Sequence, residues 1–386
     1  MPLMVPVNWS EQYPKPLILI AAQSGRFLAY MAHRAGYPVR VADQFADVDT
    51  LAIAEQHMLL AGFDELSDHQ FLQTISELAN KQPAILIIGT GVERFFNCLA
   101  LLPANIQSAN NELSALQTCL TPHRWFALLS NLAIRYPLSK FSCPATPHNF
   151  LQKQSQHWGG SHIQRPAASK PSGAYYQQKI HGQSASVLFI AAKDQVRLIS
   201  LNRQYCRAPG QDDYQLLAVS NNLALNTVQQ QWLLQTCQKL SQALGLRGYQ
   251  SLDVIIDVDE QLWLLELNPR PSASMQCLPD DWPLLDWHLQ ACQGQLPDVE
   301  DLPVATSRVW YCCYANEDLT IPAQFDWPEY AYDLPAAGTD FAKNQVICSL
   351  LFEHTAEDIL KQGQHLATQL QLQLKTALEK PLNSTI

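Results

Sequence analysis

Two apolar runs, Leu252–Ile256 and Leu262–Leu267, flank the polar turn Asp257-Val-Asp-Glu-Gln261, which is the pattern of a β-hairpin. Asp253 lies in the first run, and Glu266 and Asn268 close the second. Folding such a hairpin brings two carboxylates and an amide carbonyl into one small region. An oxygen-only donor set of this kind suits Mg²⁺, which takes one or two carboxylates and keeps water and substrate phosphates in the rest of its shell. Arg270, just beyond, adds a forked cation that can hold a phosphate or a carboxylate. The chemistry on offer is metal-assisted handling of a nucleotide. Solvated turns show similar spacings, and Asn268-Pro269 is also an ordinary turn starter.

Earlier in the chain, Asn149–Lys153 reads as a short strand that runs into a loop containing Gly159-Gly160-Ser161-His162. A lysine leaving a strand into a Gly-Gly-Ser loop sets backbone N–H groups and one point charge around a polyphosphate. The plain alternative is a Gly-Gly turn. His162, as a lone histidine, is more often a loop hydrogen-bonder than a catalyst, and Lys179 and His181 read as surface residues.

The elements that must position these groups follow from periodicity. Residues 17–22 form a buried strand, followed by Gln23-Ser-Gly25 and an amphipathic helix over 26–35. Val39–Ala42, ending at Asp43, and Ala84–Ile88, running into Gly89-Thr-Gly91, are further strands. Strand–helix–strand order with short loops implies an open parallel sheet. The lone Gly25 is not a dinucleotide fingerprint, so Asp43 is a poor candidate for a ribose carboxylate and the unit is Rossmann-like without the cofactor. Residues 112–136 read as helical, and Pro166–Gly173 as an exposed linker. The segments 175–180, 185–191 and 196–201 read as strands, and Thr227–Leu244 as a long helix closed by Gly245. The tail combines strands at 309–314 and 346–352 with a closing helix over 357–380.

Composition narrows the partners. The 386 residues suffice for two or three domains. A net charge of −10, with 25 basic and 35 acidic side chains, argues against a nucleic-acid backbone or an anionic membrane as the main partner. The ten cysteines are scattered without a C-x-x-C pair, as expected of reduced thiols in a cytoplasmic protein. The apolar stretch 17–22 is far too short to span a bilayer, and the start has no signal-peptide pattern.

Taken in order, Lys153, Gly159-Gly160, the segment 175–182 and the set Asp253/Glu266/Asn268, with Glu-x-Asn-x-Arg preceded by Arg247-Gly248, resemble the ATP-grasp superfamily over residues 17–300. The resemblance implies an α/β fold of the α+β ATP-grasp type. It would comprise a Rossmann-like N-terminal parallel sheet (1–110), a two-lobed ATP-grasp domain (111–300, lobes 111–173 and 174–300) and a small strand-rich C-terminal unit (301–386). It implies ATP and Mg²⁺ (or Mn²⁺) as cofactors, with Asp253, Glu266 and Asn268 as metal ligands. Lys153 and Gly159, Gly160 and Ser161 would bind the phosphates, and Trp158–Ile163 would form a mobile loop over them. Gln177 C=O and Ile180 N–H would read adenine, and Lys153 and Arg270 would act in catalysis. Ser184 stands near where the family often has a ribose-binding Glu, and Arg124 is the nearest match to an earlier family lysine.

The implied activity is ATP-dependent ligation of a carboxylate to an amine through an acylphosphate, with small-molecule substrates and a homodimer allowed. A nucleotide-binding regulatory or scaffold protein of the same fold is the alternative. In the tail, Tyr311, Tyr314-Ala315, Trp327-Pro328, Asp333-Leu-Pro335, Gly338 and Val346–Ser349 resemble a branch of carboligases related to biotin carboxylase. That branch occurs with tetrahydromethanopterin- and methanofuran-linked one-carbon metabolism.

Overall fold

A computed structural model describes residues 15–155, 159–160, 162–166, 173–208, 213–298, 307–354 and 358–379. The N-terminal sheet contains β1 (Leu17–Ala21), β2 (Val39–Asp43), β3 (Gln56–Leu59), β4 (Ala84–Ile88) and β5 (Ile106–Ser108). All five are parallel, in the order β3-β2-β1-β4-β5. Every residue of β1 and β4 is buried, since helices Arg26–Arg34 and Asp68–Ala79 pack on opposite faces. Burial on both faces is why these strands are continuously apolar rather than alternating.

The strand order reverses between β1 and β4, so the loops after them open side by side; Gln23 N–H donates to Thr90 C=O at 2.8 Å. Such a crevice at the carboxyl ends of strands is where open α/β sheets take ligands. Asp43 takes no part in it as a free carboxylate. It is fully buried and accepts from the N–H groups of Gly25 (2.9 Å), Phe45 (3.1 Å) and Ala46 (3.0 Å), and it pairs with His57 Nε2 (2.9 Å).

A small sheet follows, made of β6 (Ser139–Lys140), β7 (Phe150–Gln154) and β8 (Ala174–Gln178) with β8 in the centre. The large antiparallel sheet begins with β9 (Gly182–Ala192), β10 (Gln195–Ala208), β11 (Asp213–Ser220), β12 (Arg247–Asp257) and β13 (Leu262–Asn268). The tail adds β14 (Arg308–Tyr314), a ribbon of β15 (Leu319–Thr320) with β17 (Asp340–Phe341), β16 (Ala331–Tyr332) and β18 (Val346–Glu353). One eight-stranded sheet runs β13-β12-β9-β10-β11-β14-β18-β16, so the tail continues the sheet that carries the hairpin.

Helices Pro122–Asn131 and Thr227–Leu244 cover one face of this sheet through Trp125, Leu129, Leu233 and Leu240. The second helix starts with a reciprocal capping box, Asn226 with Gln229, and ends at Gly245 with φ 62°. The other face meets the N-terminal unit and helix Leu284–Cys292. His288 of that helix is a joint between the two: Nδ1 accepts from Tyr249 N–H (3.2 Å) and Nε2 donates to Ala109 C=O (2.9 Å). Burial lowers its pKa to about 4, so it is neutral.

One expectation needs correction. The helix expected over 112–136 is two helices, Leu113–Cys119 and Pro122–Asn131, because Pro122 sits at a helix start and cannot continue the previous turn. Strand β11 was not evident from the sequence at all. All ten cysteines are free thiols, seven of them buried. Among the described residues, no helix is long and apolar enough to cross a membrane.

Candidate active site

The hairpin places its polar residues through one irregularity. Ser251 pairs with Asn268, Leu252 with Leu267 and Asp253 with Glu266, but Val254 pairs with Leu264. Leu265 is therefore an extra residue on β13, a β-bulge. Strand alternation would otherwise put Glu266 and Leu264 on the same face. With the bulge, Leu264 and Leu267 both enter the core beside Leu252 and Val254, while Glu266 and Asn268 join Asp253 on the opposite face. Asp257 fixes the turn by accepting from Asp259 N–H, Gln261 N–H and Trp263 Nε1–H at 2.9, 2.8 and 2.7 Å.

Five polar side chains at this end interlock. Asn268 Nδ2 donates to Asp253 Oδ2 (3.1 Å), and Arg270 Nη2 donates to Asn268 Oδ1 (3.1 Å). Gln204 of β10 donates from Nε2 to Asp253 Oδ1 (3.1 Å), and Ser184 Oγ donates to Gln204 Oε1 (3.1 Å). Ser184, at the position expected of a ribose acid, thus anchors a relay to Asp253. Burial, together with the adjoining Glu266 charge, pushes the Asp253 carboxyl well above its ordinary range. Two carboxylates forced together in this way favour a cation between them.

The residues fit a hard divalent ion. The donors are all oxygen, and Asn268 Oδ1 has a second lone pair beyond the one given to Arg270.

Lys153 of β7 approaches from the small sheet. It is 6% exposed and has no hydrogen bond or ion pair to a described residue. Burial lowers its pKa, and Glu266 and Asp253 oppose that shift, which puts its ammonium within electrostatic reach of both acids. Tyr175, its cross-strand partner on β8, has its hydroxyl pKa raised by burial and then by Glu266, so it faces the same group. Gln177 is buried in β8, donating from Nε2 to Ser139 Oγ at 3.3 Å. Residues 179–181, including Ile180, form the connection from the small sheet to β9.

Gly159 and Gly160 have φ of 67° and 80°, a region closed to most side chains. Their turn rests on β11. Leu216 N–H donates to Gly159 C=O (3.2 Å), and a Cβ on Gly160 would lie 2.0 Å from Tyr214 O. Trp158 and Ser161 lie outside the described residues, as does most of 166–173. His162 is half-buried. His181 is exposed, and Lys179 Nζ lies 5.8 Å from the centroid of the Tyr214 ring. Arg124 is exposed on its helix and donates to Gln117 Oε1 at 3.3 Å, apart from the acids.

Sequence reasoning missed Gln204, Tyr175, Glu93 and Asn111. The first two sit on strands beside the expected ligands, and alternation along β8 and β10 was the signal available. Glu93 comes from the N-terminal unit, and Asn111 from the segment just after its last strand, β5. Glu93 accepts from Arg270 Nε at 3.0 Å, and Asn111 donates to Pro269 C=O at 2.9 Å. Nothing local in the sequence marks them.

A two-lobed cleft between a small and a large antiparallel sheet, behind an N-terminal parallel sheet, defines an ATP-grasp α/β fold. Residues 124–274 match the family model described as an ATP-grasp domain. The chain resembles N5-carboxyaminoimidazole synthetase from Staphylococcus aureus complexed with ADP, with 16% identity and a TM-score of 0.66 over 94% of this chain and 99% of that one. It also resembles the biotin carboxylase domain of Hydrogenobacter thermophilus 2-oxoglutarate carboxylase, bound to MgADP, ADP and bicarbonate (10% identity, TM-score 0.69, covering 89% and 87%). L-amino acid ligase from Bacillus licheniformis matches with 12% identity and a TM-score of 0.66, over 94% and 98%. No curated protein matches the sequence.

Proposed function

We propose that this protein is an ATP- and Mg²⁺-dependent ligase that joins a carboxylate to an amine. The observation carrying this is the hydrogen-bonded set Asp253, Asn268 and Arg270, with Glu266 opposite Asp253, facing the buried Lys153, which has no hydrogen-bonded or ion-paired partner among the described residues. Asp253, Glu266 and Asn268 would hold the metal, whose charge would offset that of the nucleotide β- and γ-phosphates. Lys153 supplies a point charge to the phosphates, and the N–H groups of Gly159, Gly160 and Ser161 supply neutral donors. Gln177 C=O and Ile180 N–H take the adenine edge at the connection between the lobes.

The reaction asks the protein for positioning and charge stabilisation rather than for a nucleophile. A substrate carboxylate oxygen attacks the γ-phosphorus and ADP leaves. The amine nitrogen then attacks the acyl carbon, phosphate leaves, and the amine gives up a proton. Arg270 steadies the transferring phosphoryl group and the acylphosphate, while closure of the 158–163 loop keeps water from hydrolysing it. The structural relatives, an N5-carboxyaminoimidazole synthetase, a biotin carboxylase domain and an L-amino acid ligase, support this class.

Within the class, the resemblance of the tail to that branch of carboligases suggests a role in the biosynthesis of a tetrahydromethanopterin- or methanofuran-type one-carbon carrier. Cytoplasmic residence and a homodimer belong to the same reading. The test is a thermal shift with ATP, with and without Mg²⁺, followed by a screen of acid–amine pairs for ADP and phosphate release. Mg²⁺-dependent stabilisation with ADP release for one pair is the expected result. Stabilisation without turnover on any pair would favour a nucleotide-binding regulatory or scaffold protein, in line with Ser184 in place of a ribose acid.

A further inference from the structure

Arg270 is 6% exposed, yet its guanidinium is held on three sides. Nε donates to Glu93 Oε1 (3.0 Å), Nη1 to Pro271 C=O (3.1 Å) and Nη2 to Asn268 Oδ1 (3.1 Å). A guanidinium has five N–H groups. Three are spent on the protein, and one each on Nη1 and Nη2 is left for a ligand.

The orientation of that fork depends on a residue 177 positions away, because Glu93 opens the short helix after β4 in the N-terminal unit. Glu93 is itself 7% exposed, so the pair is shielded from water and each charge needs the other. Asn111, 4% exposed, grips the same segment from the other side. Its Nδ2 donates to Pro269 C=O and to Gln250 Oε1, both at 2.9 Å, and its Oδ1 accepts from Arg247 N–H at 2.8 Å. One side chain thus spans both ends of the β12–β13 hairpin. The backbone between Asn268 and Arg270 is fastened on either flank by residues that the hairpin does not contain.

We propose that Glu93 and Asn111 are positioning residues through which the N-terminal unit and the segment that follows it aim Arg270 at the transferring phosphoryl group, a role that rests on the function proposed above. Glu93 sets the plane of the guanidinium. Asn111 sets the height of the segment that carries it. Neither touches substrate.

Arginine-selective ¹⁵N spectra of the full chain read the Arg270 Nε–H directly, with Arg270→Lys identifying its signal. In the wild type this proton should exchange slowly with water, and both its shift and its protection should change in Glu93→Gln. Asn111→Ala should move the same signal less.

Calorimetric titration with Mg·ADP, then with inorganic phosphate, supplies a second readout. Glu93→Gln should bind Mg·ADP within about two-fold of the wild type, since the sites are separate. It should bind phosphate about ten-fold more weakly, the size of one charge-assisted hydrogen bond. Where Glu93→Gln does not fold, Glu93→Asp keeps the charge on a shorter arm, and the same readouts decide. An unchanged Nε–H signal together with wild-type phosphate affinity would overturn the role. A wild type that binds no Mg·ADP would overturn the nucleotide reading beneath it.

Discussion

The two walls of the cleft are built on opposite plans. On the hairpin wall, Asp253, Asn268 and Arg270 are tied to one another and to Gln204, Glu93 and Ser184 by hydrogen bonds of 3.0–3.1 Å. That wall is rooted in an eight-stranded sheet. The opposite wall is a three-stranded sheet in which β6 has two residues, and its key side chain, Lys153, has no hydrogen-bonded or ion-paired partner among the described residues. One wall is organised before any ligand arrives, while the other keeps a desolvated charge whose natural counterpart is the ligand. Preorganisation suits the groups that must meet developing charge. Under the proposed function, adaptability suits the wall that admits and releases a nucleotide.

Substitutions can break this contrast. The largest effect should come from Glu266→Ala. ATP at 100 times its Kd stabilises a folded protein by about 2.7 kcal/mol. The Mg²⁺-dependent part of that rise in Tm should vanish in the variant, and a rise equal to that of the wild type would remove Glu266 from the metal site.

Lys153→Met should cost about 2 kcal/mol of ATP affinity, as expected for a hydrogen bond to a charged group. The response to Mg²⁺ should remain, because the hairpin wall is intact. Loss of the Mg²⁺ response in calorimetry would mean that the two walls do not act separately.

Gly160→Ala should act through the loop alone. A Cβ there meets Tyr214 O at 2.0 Å on a backbone with φ 80°, so the turn must lift from β11. A loss of about 1 kcal/mol in nucleotide affinity is expected from strain of this kind. Hydrogen exchange at Leu216, whose N–H bonds Gly159, should rise with it. Unchanged exchange would show that the turn does not lift.

The last effect concerns the ligand-free protein and pH. Asp47 is buried among Asp333, Asp43 and Asp49; burial and these charges raise its pKa to about 8. A raised acid favours the folded state below its unfolded pKa near 4 and loses that contribution as pH climbs towards 8. His288 works in the opposite direction. Held neutral by burial down to about 4, it contributes above its unfolded value near 6.5, and that contribution is lost as pH falls towards 4. Asp47→Asn should flatten the alkaline limb of Tm against pH and His288→Gln the acid limb. Unaltered limbs would show that other groups govern the profile.

What the sequence shows of this architecture depends on how local the cause is. β1 and β4 declare themselves because each is apolar at every position. Thr227–Leu244 does so through Asn226, Gln229 and Gly245 at its ends. The hairpin is legible because its two strands are adjacent in the chain. The bulge at Leu265 is not, since it is set by how Leu264 and Leu267 share one core. Gln204 escapes notice for a related reason: its partner Asp253 lies 49 residues away on a strand two places across the sheet. Glu93 and Asn111 are harder still, being ordinary polar residues until the fold delivers Arg270 and Pro269 to them.

The shared sheet also bears on how this protein can be divided. β11 bonds to β14 through Ala218–Ser220 and Val309–Tyr311, and β14 bonds to β18 along its length. The segment 124–274 ends well before β14, so excising it would strip β11 of its neighbour and bare a row of unpaired N–H and C=O groups beside apolar side chains. Exposed edges of that kind recruit other strands. Shuffling or fusing this segment therefore has to respect a seam that lies past the end of helix Leu284–Cys292 and beyond β18, or it will trade a folded protein for an aggregate.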